Sequence, residues 1–310
     1  MMIVNRQPMN PYYKDFSEYM GEMFPGMKVQ KLSIDAGFTC PNRVGCIGHG
    51  GCIYCNNASF TPGYCSPFDS VEIQIEKGKA FFRRKYPKMK YLAYFQSYTN
   101  TFGRSSSELL EMYRNASEGE DVVGVIIGTR PDCLPDDLLD GLAALNRRKP
   151  VIVEIGAETS YDETLRLINR NHTWAQVEDA AGRLHSRTIR VGLHLIAGLP
   201  GEGADHVIKT VKRACRLPID SIKMHQLQIV KGTPLLERWE KGEIEIEPFT
   251  LEDYLELCVK IVQTVPRHIC IERFLASSPP EMVVAPKWGL KNYQFTNLLH
   301  NRLKNCGNIK

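Results

Sequence analysis

From residue 91 to residue 229, short segments rich in branched and aromatic residues alternate with helix-length amphipathic ones, and this alternation restricts the fold more than any other feature. Counting an earlier segment at 29–34, the strand candidates are 29–34, 91–95, 122–128, 151–155, 189–196 and 221–229. Helix candidates follow them at 70–86, 106–118, 136–146, 162–169 with 175–185, and 204–216. Repeated strand–helix units build a parallel sheet with right-handed crossovers. These units are too few for the eight of a closed barrel, so the expected architecture is α/β, an open partial (β/α)6 barrel. The active site of such a sheet lies at the C-terminal ends of its strands, where the βα loops gather.

The flanks read differently. Residues 1–28 form an N-terminal extension with a short helix expected over 13–23. Residues 29–240 carry the barrel. Beyond 240 the alternation stops, and 241–310 read as a small α+β C-terminal subdomain. In it a helix spans 250–265, capped by Thr250 with Asp253 at the third helical position. A strand candidate follows at 268–274 and a terminal helix at 288–304. After Glu281 there is no acidic residue, while Lys287, Lys291, Arg302, Lys304 and Lys310 remain. Such a stretch is either a solvated basic tail or a surface for a phosphate backbone.

The loops after the strands are polar and unusual. They are 96–103, 128–132, 156–159 next to Glu154, 197–202, and 231–233 beyond His225. The loop after the first strand is stranger still. Of ten cysteines in the chain, four fall there, Cys40, Cys46, Cys52 and Cys55, together with His49 and several glycines. No apolar run is long enough to span a bilayer, and the N-terminus lacks an apolar stretch of signal-peptide length. The expectation is a cytoplasmic protein without a membrane partner. In a reducing compartment clustered cysteines point to metal or catalysis rather than to disulfides. The net charge of +4 does not by itself argue for nucleic acid.

Two metal chemistries fit the loop. Cys52 and Cys55 form a Cys-x2-Cys half-site for zinc, which Cys40 and Cys46 or His49 would complete. Alternatively, three cysteines hold a four-iron cluster and leave one iron open for a substrate or cofactor. Spacing alone leaves both standing. The position after the first barrel strand, and the aromatic between the close cysteines, favour the cluster.

The loop Cys40-x11-Cys52-Ile53-Tyr54-Cys55 resembles the cluster loop of radical S-adenosylmethionine (SAM) proteins. It is similar to their YhcC-type branch, which is related to the catalytic subunit of Elongator. The likeness runs through nearly the whole chain: 39–43 (Thr-Cys-Pro-Asn-Arg), 50–52, 95–101, 128–132, Glu154 followed by 168–172, 199–202, 223–225, 231–233 and 285–288. The resemblance implies that Cys40, Cys52 and Cys55 ligate a [4Fe–4S] cluster whose open iron chelates SAM. One-electron reduction, from a donor the sequence does not identify, then yields a 5′-deoxyadenosyl radical that abstracts hydrogen from the substrate.

The same resemblance implies roles around SAM. Tyr54 would face the adenine edge. Gln96 and Ser97 stand where many relatives carry a Gly-Gly-Glu segment that reaches the methionine amino group. Glu154 would hydrogen-bond the ribose, and Glu158 stands where Gln is common. Arg170 would meet the SAM carboxylate, for which a planar guanidinium is suited. Ile196 and Gly198 would let backbone approach the adenine, and His225 would reach SAM or substrate. Cys46 departs from the family pattern and reads as an incidental loop thiol. The implied substrate is a wobble-uridine C5 substituent in tRNA. The alternatives are radical chemistry on a small metabolite or protein, or a zinc-stabilised nucleic-acid-binding module.

Overall fold

Seven parallel strands form one curled sheet, in the order β1 (Val29–Ile34), β2 (Lys90–Phe95), β3 (Val122–Thr129), β4 (Val151–Glu158), β5 (Arg190–Ala197), β6 (Ser221–Gln226) and β8 (Cys270–Arg273). The computed structural model describes residues 10–84, 88–276 and 278–306, so expectations that touch 1–9, Tyr86 or Lys310 lie outside the described residues. The sheet has one strand more than the six counted from sequence. The extra strand, β8, belongs to the stretch read as a C-terminal extension and pairs in parallel with β6. The stretch 221–229 is divided: β6 ends at Gln226, and β7 (Ile229–Val230) pairs antiparallel with β9 (Val283–Ala285).

Helices α2 (Val71–Arg83), α3 (Ser106–Ser117), α4 (Asp136–Asn146), α5 (Asp162–Leu167), α6 (Trp174–Ser186) and α7 (Ala204–Ala214) fill the crossovers. Local chemistry sets their starts. Ser105 with Glu108 and Thr173 with Gln176 form capping boxes ahead of α3 and α6, satisfying amides that no helical carbonyl reaches. Asp136 and Asp137 sit in the first turn of α4, where the helix dipole favours negative charge. The main core lies between these helices and the outward strand faces, with Leu32, Ala93, Val125, Val153, Leu193 and Ile222 all fully buried. Helix α9 (Leu251–Thr264) and α10 (Asn292–Asn305) pack into the same core through Tyr254, Phe295 and Leu299. The short α8 (Pro234–Glu240) and β9 were not expected.

The inward strand faces are layered. At the N-terminal end Leu92, Ile126, Ile152 and Cys270 are plugged by Tyr19, Met20 and Phe24 of and beside α1 (Phe16–Met23). Above that apolar plug the inward residues become charged, and Lys31 of β1 reaches Glu272 of β8 at 2.6 Å. An ion pair thus links the two edge strands of the curled sheet. Among the described residues no helix is long and apolar enough to cross a membrane.

Candidate functional site

A cavity of about 410 Å³ opens at the C-terminal ends of the strands, where the fold places an active site. Cys40, Cys52, Tyr54 and Cys55 line it together with Gln96, Glu154, Glu158, Arg170, Ile196 and His225. Ten of the twelve residues expected around the cofactors therefore converge on one space.

The other two do not. Ser97 is buried, but outside the cavity lining, and its hydroxyl has no partner. Gly198 also lies off the lining. It takes φ +87°, and a side chain there would meet the Phe249 ring at 3.2 Å, so backbone conformation and close ring packing both favour glycine at this turn. Cys46 and His49 are exposed and are not among the residues lining the cavity.

The cysteine loop is shaped by its own backbone and by one remote segment. The amide of Arg43 donates to Cys40 O at 2.8 Å, that of Cys46 to Pro41 O at 3.1 Å and that of Cys55 to Cys52 O at 3.0 Å. Asn169, Arg170 and Asn171, just beyond α5, hold the loop from the other side. Asn169 Nδ2 donates to Gly51 O at 2.7 Å and His49 O at 3.0 Å, and Asn171 Nδ2 donates to Asn42 Oδ1 at 2.7 Å. Both asparagines take positive φ, 55° and 56°, which their short polar side chains tolerate. Gly48 is required by this contact: a Cβ there would stand 2.2 Å from Asn42 Oδ1.

The segment aims Arg170 at the cysteines. Its Nη1 lies 3.7 Å from Cys52 Sγ, its Nη2 donates to Gly156 O at 2.8 Å, and Glu158 pairs with it at 3.3 Å. Burial opposes the guanidinium charge, but Cys52 and Glu158 stabilise it. A bulge in β4 between Gly156 and Glu158, with Glu158 at φ 64°, turns that carboxylate toward Arg170.

Beneath the cavity lies a charge network that the sequence reading did not foresee. Glu154 is at its centre. Lys31 donates to Glu154 Oε1 at 2.6 Å, while Oε2 accepts from Tyr94 at 2.7 Å, His194 at 2.5 Å and Lys223 at 3.2 Å. Oε1 thus accepts from one protein donor and Oε2 from three, so Glu154 anchors this network, and a ribose hydroxyl would share its carboxylate with it. Burial would raise its pKa, yet Lys223, Lys31 and His194 hold its carboxyl well below the usual range. His225 is held well below the ordinary imidazole value by burial and then by Arg273. Tyr94, His194, Lys223 and Arg273 were all missed. The available signal was polarity: each is a polar residue within a strand of a parallel sheet, where near-continuous apolar sequence is the norm.

Four buried polar atoms on cavity-lining residues lack partners: Arg130 Nη1, Arg170 Nε, Gln228 Oε1 and Arg273 Nε. Each unsatisfied group costs on the order of 1–3 kcal/mol. A cavity walled this way is built to receive a polar ligand. The donor set at its cysteine side fits a thiolate-held cluster, because Arg170 and Asn42 Nδ2, at 3.7 and 3.8 Å from Cys52 Sγ, are placed to stabilise charge on sulfur. Among the described residues no group of three or more His, Cys, Asp or Glu side chains is arranged to hold a single metal ion.

His172 adds a testable consequence. It is buried near the charges of Arg170 and Arg130, with the Ala157 backbone as its polar neighbour. Burial, then Arg170 and Arg130, lower its pKa from 6.5 to about 2. The unfolded chain therefore takes up a proton below pH 6.5 that the fold refuses, and stability falls as pH drops. The expected loss is about 1.4 kcal/mol per pH unit below that point from this group. Thermal midpoints at pH 7.5 and 5.5 should differ less in His172→Leu than in the wild type. An identical pH dependence would contradict the assignment.

The comparisons with known proteins agree with this geometry. Residues 43–214 match the Radical SAM superfamily and residues 219–305 its C-terminal domain. YtqA of Bacillus subtilis (strain 168) is 35% identical over 298 residues, covering 96% of this chain and 91% of that protein. YhcC of Escherichia coli (strain K12) is 38% identical over 264 residues, 85% and 83% of the two chains. A tRNA uridine(34) acetyltransferase of Methanocaldococcus infernus is 25% identical over 208 residues, 66% of this chain but 38% of that protein. A solved structure of the archaeal Elp3 from M. infernus superposes with a TM-score of 0.68 at 18% identity, over 91% of this chain and 64% of that one, which shows a shared fold. The chain belongs to the radical SAM superfamily, in its YhcC-type, Elongator-like branch, a family of enzymes whose cofactors are a [4Fe–4S] cluster and SAM.

Proposed function

We propose that Cys40, Cys52 and Cys55 hold the [4Fe–4S] cluster and that the enzyme acts on a C5 substituent of a wobble uridine in tRNA. The observation that carries the cluster assignment is the convergence of these three cysteines on the cavity while Cys46 stays outside it. When bound and reduced, the cluster supplies the electron that cleaves SAM to methionine and a 5′-deoxyadenosyl radical.

The chain's own residues bind and shield. Arg170 stands beside Cys52 and offers its free Nε to the SAM carboxylate. Tyr54 and Ile196 give the adenine an apolar wall, with Glu158 beside them. Gln96 is tethered by its Nε2 to Phe60 O at 3.0 Å, which leaves its carbonyl oxygen for the cofactor. The zinc alternative lacks its fourth ligand at the cavity, since Cys46 and His49 are both exposed and off its lining.

The tRNA reading is supported by the acetyltransferase relative named for uridine 34 and by the Elp3 fold. The basic C-terminal stretch supports it less than its composition promised, since Arg302 is engaged by Glu252 and Glu256 of α9. Lys287, Lys291 and Lys304 remain exposed for phosphates. We place the protein in the cytoplasm, without a membrane partner, where a one-electron donor protein would serve it. Mass spectrometry of tRNA nucleosides from a deletion strain should show altered wobble uridines. Unchanged wobble nucleosides would move the substrate to a small metabolite or a protein.

A further inference from the structure

The side of the cavity away from the cysteines carries a feature that neither cofactor uses. The pairing of β6 with β8 shifts between Ile222 and Lys223: Ile222 faces Ile271, but Lys223 faces Arg273. The extra residue, Glu272, makes a bulge. Strand alternation would send Glu272 and Arg273 to opposite faces of the sheet, and a bulge re-aims a side chain. Here both turn inward. Glu272 pairs with Lys31 at 2.6 Å and Lys223 at 3.3 Å, while Arg273 lines the cavity.

Arg273 is left without an anion. Among the described residues no carboxylate lies within 4.0 Å of its guanidinium. Its Nη2 rests against the His225 ring nitrogens at 3.2 and 3.3 Å, and its Nε is buried and unpartnered. Lys31, Lys223 and Arg273 put three cations into this layer against the two carboxylates of Glu154 and Glu272. Arg273 is half-buried, and its buried, unpartnered Nε is costly unless a polar group or an anion joins it.

We propose that Arg273, flanked by His225 and Lys223, binds an oxyanion of the substrate, a carboxylate or a phosphate, on the β6–β8 side of the cavity. The proposal rests on the radical SAM reading of the cavity and extends it to the substrate class. SAM carries one carboxylate, and Arg170 on the cysteine side is placed for it. Glu158, the partner of Arg170, stands on β4, whereas Arg273 stands on β8, three strands further along the sheet, so the two guanidinium groups enter the cavity from different strands.

The test uses the full chain, reconstituted anaerobically and saturated with SAM, titrated calorimetrically with acetate and with inorganic phosphate at constant ionic strength. At least one probe is expected to bind while SAM is present. Arg273→Gln should weaken it about tenfold or more, and Arg273→Lys should restore part of the affinity. Preference for acetate assigns a carboxylate substrate, and preference for phosphate a phosphorylated one. The proposal is overturned if neither probe binds, if SAM displaces the probe, or if Arg273→Gln binds as the wild type does. Iron and sulfide content and SAM cleavage of the wild type, measured on the same preparation, report separately on the radical SAM reading.

Discussion

Cys52→Ala is expected to strip the protein of most of its iron and sulfide and to lower SAM cleavage by about a thousandfold or more. The cofactor carries the hard chemistry, so its loss removes nearly the whole rate enhancement. Cys52 is the right residue to change because the site is organised around it: it is buried, and Arg170 and Asn42 both approach its sulfur. Cys46→Ser makes the opposite prediction. Cys46 is exposed and off the cavity lining, so its variant should keep iron content and SAM cleavage within about twofold of the wild type. Iron and sulfide analysis with chromatographic quantitation of 5′-deoxyadenosine checks both. A Cys46→Ser protein that loses its cluster would make Cys46 a ligand and close the open iron.

The second large effect concerns stability. Glu154→Ala leaves Lys31, its side chain 12% exposed, and the buried Lys223 without the carboxylate they share, and leaves Tyr94 and His194 without an acceptor. Removing one partner of a buried ion pair costs about 3–5 kcal/mol, because the remaining charge stays desolvated. Glu272 still contacts both lysines and offsets part of that loss, so a value near 3 kcal/mol is expected. Chemical denaturation of the two proteins measures it. A loss below about 1 kcal/mol, together with weakened SAM binding, would return Glu154 to the role of a ribose ligand. The sign with pH follows from its depressed pKa. The contribution is fully present above the unfolded carboxylate value of 4.5 and disappears as pH falls through the lower folded one.

What could be read from the sequence followed the strength of local signals. Strand and helix order through residue 216 emerged from periodicity, because each βα unit is built from neighbours in sequence. Helix α4 was expected at its observed bounds, since Asp136 and Asp137 mark its start. The cysteines were legible because four in one short loop have no packing explanation. β8 was not legible as a barrel strand. It is four residues long and its partners on β6 lie 49 or 50 residues earlier, beyond any local pattern. The charge network escaped for the same reason. Lys31, Glu154, Lys223 and Glu272 come from four separate strands, and only the curl of the sheet brings them together. Gly198 and Ser97 were assigned by motif position, whereas the direction of a loop backbone decides whether a residue in a motif reaches the cavity. Arg273 was hidden by the bulge, which breaks the alternation that sequence parity relies on.

A three-cysteine cluster in this cavity, with an open iron for SAM, is tested by anaerobic reconstitution with iron and sulfide, followed by SAM and dithionite, with and without bulk tRNA. Iron and sulfide near four per chain are expected, with release of 5′-deoxyadenosine that increases when tRNA is present. One zinc per chain, with no 5′-deoxyadenosine under any of these conditions, would contradict it.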